Sequence, residues 1–418
     1  MTPRAWALVT LVGLAVALLV VVVVLVPWQR PPAPRADQVA ALRDLPAEQV
    51  ARGREFAAAL RPSRYGAMAL GLVAALLLGL TPVGARLVEL VGRPFGGSWV
   101  ARAVLGGLAV LLLADLVTLP LAAWRRTVLV RYGLSTQSWG GWAVDLLKAY
   151  ALSAVLGAVV LLGFYAVTRY APRWWWALGA AGAAGLVVLL SFVLPVLVEP
   201  VFNKFTPMPP GPLRTELMTL AERDGVPVRD VLVADASRRT RAVNAYVSGL
   251  GPTRRIVVYD TLLTEAPAPE VAAVVAHELG HARDGDVLAG TVTGALGAAT
   301  GVVALYLLGS WSGLLRAAGV TGIGEPRAIG LLLAVAAVAG LVSAPGQALL
   351  SRRTEARADA HALALTGDPT AFEAMQRRLS TVNLADPDPP RVEYLYFATH
   401  PSTVERMAAA RAYARGER

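Results

Sequence analysis

The chain has 418 residues, of which 56% are hydrophobic and 16% charged, with a formal net charge of +10 and no cysteine. So apolar a balance excludes an ordinary soluble globular protein and points to an integral membrane protein, and the missing cysteine excludes disulfides, thiolate metal ligands and cysteine catalysis. The basic residues are spread through the segments between apolar runs rather than gathered in one module, which suits anionic lipid headgroups and not nucleic acid.

Seven apolar runs are long enough to cross a hydrocarbon core of about 30 Å. They lie near Ala5 to Val26, Tyr65 to Val83, Val104 to Ala123, Ala149 to Val167, Ala177 to Leu197, Leu288 to Leu308 and Ala328 to Ala344. The first follows Arg4 but is too long for a signal core of about 7 to 15 residues, and it reaches Pro27-Trp28 without a small-residue cleavage site, so it is expected to stay as an anchor. The sixth and seventh are rich in Gly, Ala and Thr, a composition that also suits helices packed around a site.

Basic residues favour the cytoplasmic side. The first connection carries Arg30, Arg35, Arg43, Arg52, Arg54, Arg61 and Arg64, and the third carries Arg125, Arg126, Arg131 and Lys148; the others are poorer. With seven spans this puts the N-terminus outside, and the segment from Glu199 to Val287 and the C-terminal region in the cytoplasm. The expected organisation is a five-span region at 1–198, a polar segment at 199–287, spans six and seven at 288–350, and a C-terminal segment at 351–418.

Within the polar segment, Pro207, Pro209, Pro210, Gly211 and Pro212 mark an irregular exit from the membrane, and Leu213 to Asp224 reads as a helix. Val231 to Ala234, Ala245 to Gly249 and Arg255 to Tyr259 are strand-like. A small sheet of this kind leaves an edge to which an extended peptide can add through main-chain hydrogen bonds.

The chemistry sits in His277-Glu278-Leu279-Gly280-His281. Residues four apart share a helix face, so both imidazoles can direct a nitrogen at one Zn²⁺ while Glu278 flanks a metal-activated water as general base. Pro269 and Glu270 suit a first helical turn, and Val271, Ala272, Val274, Val275 and Leu279 make the helix apolar enough to imply a buried site. A catalytic zinc usually has three protein ligands. A third histidine ten residues after His277 is ruled out because Val287 stands there. The thermolysin-like alternative is a downstream glutamate, and Glu355 is the best candidate, with Asp359 one turn on as a hydrogen-bond acceptor for a ligand histidine. The competing reading pairs Glu355 and Asp359 with Arg352 and Arg353 on a wet helix face. His361 is read as a bystander.

Tyr132-Gly133-Leu134-Ser135-Thr136-Gln137, Glu199-Pro200-Val201-Phe202-Asn203-Lys204-Phe205-Thr206-Pro207, Asn244-Ala245-Tyr246, the zinc motif, Glu355 with Asp359, and His400-Pro401 with Glu405-Arg406 occur in that order. Together they resemble the type I CAAX prenyl endopeptidases, membrane zinc proteases related to the HtpX type. The resemblance implies a mainly α, polytopic fold in which seven helices enclose a chamber, closed by a gluzincin-like domain with a small sheet. It implies one zinc per chain on His277, His281 and Glu355, and contact of Asn244, Tyr246 and His400 with the substrate backbone or oxyanion. Arg406 is expected either to act with His400 or to orient a carboxylate. Asp115 and Glu199 are expected at the chamber wall, without an assigned role. Arg241-Ala242-Val243 before the Asn-Ala-Tyr triplet departs from the eukaryotic pattern. An Ala- and Arg-rich chain of this sort looks bacterial, where cleavage of membrane-associated or misfolded proteins is the expected task and a prenylated substrate is not required. The alternatives are an HtpX-like quality-control protease and, in another class, a transporter with structural histidines, against which stands the lack of internal repeat symmetry.

Overall fold

Apolar runs in hydrocarbon must satisfy their own backbone hydrogen bonds, and all seven do so as helices. The computed structural model describes residues 2–29 and 32–417, and of 194–196 the backbone alone, so that Arg30 lies outside the described residues. Among these, seven helices are long and apolar enough to cross a membrane: Pro3–Leu25, Ala47–Leu80, Trp99–Arg131, Trp139–Tyr170, Trp175–Val193 within the longer helix Trp175–Phe202, Asp286–Leu308 and Pro326–Thr366. Leucines and valines such as Val12, Leu19, Leu147, Val159 and Val342 on these helices are exposed, as suits segments whose apolar surroundings are lipid.

Two of these helices run well past the apolar run that defines them. The second begins at Ala47, and the last continues without a break from Ile329 to Thr366, so that the seventh span and Glu355 share one rod. The boundary at 350 and 351 therefore falls inside a helix. Likewise the helix of span six starts at Asp286, with only Gly285 between it and the end of the zinc-motif helix Ala268–Asp284.

The long rod is seated against span two at a crossing of small residues. A Cβ on Gly330 would lie 2.2 Å from the Leu78 carbonyl oxygen, and one on Gly79 would lie 2.4 Å from that of Gly330. Backbones approach this closely only where side chains are absent. Gly330→Ala is expected to lower the stability of the detergent-solubilised protein by about 1–3 kcal/mol, an overpacking effect read as a fall in the thermal unfolding midpoint. An unchanged midpoint would mean that the rod tolerates a wider crossing.

The polar segment folds as the sheet β1 (Phe205–Pro207), β2 (Asp230–Ala234), β3 (Ala245–Ser248) and β4 (Arg255–Tyr259), in the spatial order β1-β2-β4-β3. β2 and β4 are parallel, with Val231 opposite Ile256, and β3 runs antiparallel to β4, with Tyr246 opposite Val257. β1 was not expected, because its prolines read as irregular coil. Three residues on an edge can tolerate a proline, since no second neighbour asks for its missing N–H.

Side chains alternate across the strands. Val231, Ala245, Ile256 and Val258 pack with Val271, Val275 and Leu279 of the zinc-motif helix, whereas Leu232, Ala234 and Val257 face the other way with Tyr246 and Tyr259. The helix expected over Leu213 to Asp224 spans Pro212–Arg223 and adds Leu217, Leu220 and Ala221 to the first of these cores.

Candidate metal centre

The zinc-motif helix stops at Gly285, whose φ of 70° is left-handed and open to glycine without strain. That turn starts the next helix at Asp286 and brings the Asp286 side chain back to the motif. On the zinc-motif helix, the Nε2 atoms of His277 and His281 lie 3.2 Å apart. Glu355, from the long rod, places Oε2 3.2 Å from His277 Nε2 and Oε1 3.5 Å from His281 Nε2. The ligand atoms of the three residues all lie within 4.8 Å of one another, with His277 5% and Glu355 9% exposed.

The remaining ring nitrogens are taken by carboxylates. His277 Nδ1 lies 2.9 Å from Asp359 Oδ1, and His281 Nδ1 lies 2.7 Å from Asp286 Oδ2. Each carboxylate is held in turn by an arginine, Asp359 by Arg406 through Nε at 2.9 Å and through Nη2, and Asp286 by Nη2 of Arg357. With the N–H of each ring directed at its carboxylate, both Nε2 lone pairs point at each other and at Glu355. Glu355 Oε2 is buried, and the polar atoms facing it are the Nε2 atoms of His277 and His400, each at 3.2 Å. Three acceptors converging in this way repel unless a proton or a metal cation joins them, and two imidazoles with one carboxylate are the donor set of a catalytic zinc. The residues fit the ion.

The electrostatics agree. Burial opposes charge on His277, but hydrogen bonds to Asp359 and Glu355 outweigh it and push its pKa up to about 9 in the metal-free chain. Burial also lifts the Glu278 carboxyl above its ordinary value, with His277 and His281 pulling it back, which moves a candidate base toward neutral pH.

His400 approaches from the C-terminal segment, with Nε2 3.2 Å from Glu355 Oε2 and a side chain 56% exposed. The structure puts Arg406 on Asp359, in the carboxylate-orienting place, 3.4 Å from His277 Nδ1. Asn244 is exposed just before the edge strand β3, its carbonyl accepting from the Tyr259 amide. Tyr246, on β3, sets its ring edge-on to Tyr259 and hydrogen-bonds to Glu199, which also accepts from Ser248 Oγ at 3.2 Å. His361 stays out of the donor set, with Nε2 3.0 Å from Asp224 Oδ1. Asp115 is exposed midway along the third span.

Three residues of this neighbourhood were not foreseen. Asp286 and Arg357 complete the support of His281; the signal was a glycine in the helix-ending position followed by an aspartate five residues after a ligand. In the competing reading Arg352 is a surface partner of Glu355 and Asp359. It is instead 6% exposed and donates from Nη1 to the carbonyls of Tyr394 and Ala398, each at 2.7 Å.

The chain matches the family model described as peptidase family M48 over residues 208–414, and the one described as the CAAX prenyl protease N-terminal, five membrane helices, over residues 64–204. It is 29% identical over 313 residues to a Bacillus subtilis protein described as the uncharacterized metalloprotease YhfN, covering 72% of this chain and 71% of that one. It is 32% identical over 291 residues to a CAAX prenyl protease 1 homolog of Arabidopsis thaliana, covering 67% and 66% of the two chains. The crystal structure of S. mikatae Ste24p has the same fold, with a TM-score of 0.78 over 98% of each chain at 22% identity.

Proposed function

Because the chain belongs to peptidase family M48, in the branch with the membrane-helical N-terminal region of the CAAX prenyl proteases, we propose that it is a zinc endopeptidase that cuts membrane-associated proteins, with Glu278 as general base. That it is a membrane-embedded metallopeptidase follows from the family and the seven helices. Zinc is the choice of metal because of the donor set, and the observation that carries this reading is the convergence of His277 Nε2, His281 Nε2 and Glu355 on one point.

Bound there, the ion supplies Lewis acidity to a water and to the scissile carbonyl. Glu278 takes the proton of that water and returns it to the leaving amine. His400 donates to the developing oxyanion, a role suited to an exposed imidazole beside Glu355. Asn244, exposed ahead of β3, orients the backbone of a peptide added to that edge. Asp359 with Arg406, and Asp286 with Arg357, keep the two ligand histidines in the tautomer that offers Nε2.

The basic first and third connections favour an N-terminus outside and a site in the cytoplasm, in the plasma membrane of a bacterium. The plant relative is named for prenyl proteins and the Bacillus relative only as a metalloprotease, so the substrate class proposed is membrane-associated or misfolded protein, without a need for the lipid. The test is a Glu278→Gln substrate trap with photo-crosslinking in native membranes. Membrane-associated proteins are expected to be captured, and each, once purified, to be cut by the wild-type enzyme and left whole by the trap. Captured proteins that the wild-type enzyme leaves intact would refute the assigned substrate class.

A further inference from the structure

A buried cation normally answers to a carboxylate, and Arg352 answers to main-chain carbonyls. Its Nη1 donates to Tyr394 and Ala398 oxygens at 2.7 Å, and its guanidinium stacks 4.3 Å from the centre of the Tyr394 ring. These carbonyls belong to the end of the helix Arg391–Phe397, where Ala398 is the cap, so a positive charge meets the unsatisfied groups of a helix C-terminus. Two residues further on is His400.

The tie is short on both sides. Arg352 precedes Glu355 by three residues on the same rod, so the two side chains are helix neighbours about 5–6 Å apart at Cβ. Glu355 Oε2 is the atom that His400 Nε2 faces at 3.2 Å. One turn of one helix thus presents both a metal ligand and the clamp on the segment that carries His400. The same clamp reaches the far side of that residue, because Tyr394 donates through its hydroxyl to Glu405 at 2.6 Å, and Glu405 closes the capping box on the Ser402 amide at 2.7 Å. His400 lies between these two fixed points.

We propose that Arg352 is a positioning residue that sets His400 over the metal centre, holding the carbonyls of Tyr394 and Ala398 so that the imidazole meets the reacting carbonyl. This rests on the reading of His400 as the oxyanion donor. Neighbouring anchors do not depend on Arg352. Glu393 is buried and pairs with Arg61 at 2.5 Å and Arg64 at 3.5 Å, so the segment keeps its place on the second span helix when Arg352 is altered.

The experiment is a double-mutant cycle in the zinc-loaded full chain with Arg352→Lys, which keeps the charge and loses the planar fork, and His400→Ala. Removing one oxyanion donor costs about a hundredfold in kcat, and misplacing it through Arg352→Lys is expected to cost about tenfold with KM unchanged. In the His400→Ala background Arg352→Lys is expected to cost less than about twofold, because residues acting as a unit are not additive. An equal loss in both backgrounds overturns the proposal.

A His400→Ala enzyme of full activity would refute the oxyanion reading instead. The placement itself is then read separately, from the imidazole ¹⁵N spectrum of histidine-labelled protein with its four histidines. Arg352→Lys is expected to shift or broaden the His400 signal and leave that of His361 in place, and an unmoved His400 signal overturns the proposal. Should Arg352→Lys fail to accumulate, Arg352→Gln, which loses the charge and the fork but leaves Tyr394 and its tie to Glu405 intact, carries the same cycle and the same spectrum.

Discussion

Glu278→Gln is expected to lower the rate of peptide hydrolysis about a thousandfold while the protein still binds about one metal ion per chain. The amide fills the space of the carboxylate but cannot take a proton, and general-base catalysis contributes about 10²–10⁴-fold. Glu278 is the one residue of the motif whose loss should separate chemistry from metal binding, because the proposed ligand atoms are those of His277, His281 and Glu355. The measurement pairs metal analysis with single-turnover cleavage of a membrane-protein substrate, so that chemistry is read apart from product release. A variant that keeps its metal and hydrolyses at the wild-type rate would remove Glu278 from the proton transfer. Burial raises the Glu278 carboxyl, so the rising limb of the wild-type profile against pH should lie above the ordinary carboxylate range. That limb should be missing from whatever slow activity the variant retains.

Glu355→Ala is expected to weaken metal binding by about two orders of magnitude, read as a shift in competition with a chelator of known affinity. A structural zinc with four ligands binds with about 10–16 kcal/mol, which shared evenly is about 3 kcal/mol per ligand, or a loss of about 150-fold in affinity. Removing Glu355 also takes the negative charge from between two imidazoles whose Nε2 atoms are 3.2 Å apart. Asp286→Ala makes the graded comparison, since it keeps all three ligands and loses the partner of His281 Nδ1; about 10–100-fold weaker binding is expected.

Competition with protons gives this prediction a pH signature. In the metal-free chain His277 has a pKa near 9, above its value of about 6.5 in an unfolded chain, so its charged form stabilises the apo fold fully below pH 6.5, and that contribution is lost as pH rises through 9. Metal uptake at pH 7 must therefore displace about one proton, and affinity should climb about tenfold per pH unit up to about pH 9. Calorimetry in two buffers of different ionisation enthalpy reads the proton directly. Binding without proton release would contradict the hydrogen bonds assigned to His277.

The sequence by itself determined much of this protein, because the strongest signals were local or compositional. Long apolar runs have one solution in a bilayer, which is why all seven spans were legible. A four-residue histidine spacing on a helix of alanines and valines puts His277 and His281 on one face by helical geometry alone, and Glu355, the candidate third ligand chosen to complete a zinc's ligand count, lies beside them. The strands Val231 to Ala234, Ala245 to Gly249 and Arg255 to Tyr259 were visible for a similar reason, since alternation and β-branched side chains are local properties.

What the tertiary structure decided depends on where distant segments meet. Asp286 supports His281 only because Gly285 turns the chain left-handed, and Arg357 reaches Asp286 across 71 positions of sequence. The competing reading set Arg352 on a wet helix face beside Glu355; packing of residues 391–400 against the rod buried it and gave it carbonyls instead. Arg406 offered two roles, and the fold chose the carboxylate of Asp359. β1 was hidden because an edge strand of three residues gains its hydrogen bonds from β2, where Phe205 pairs with Ala234, 29 positions downstream. Helix periodicity and residue chemistry are written within a few turns of chain, whereas the second layer of support around a metal is built from contacts between elements, and only their assembly makes it.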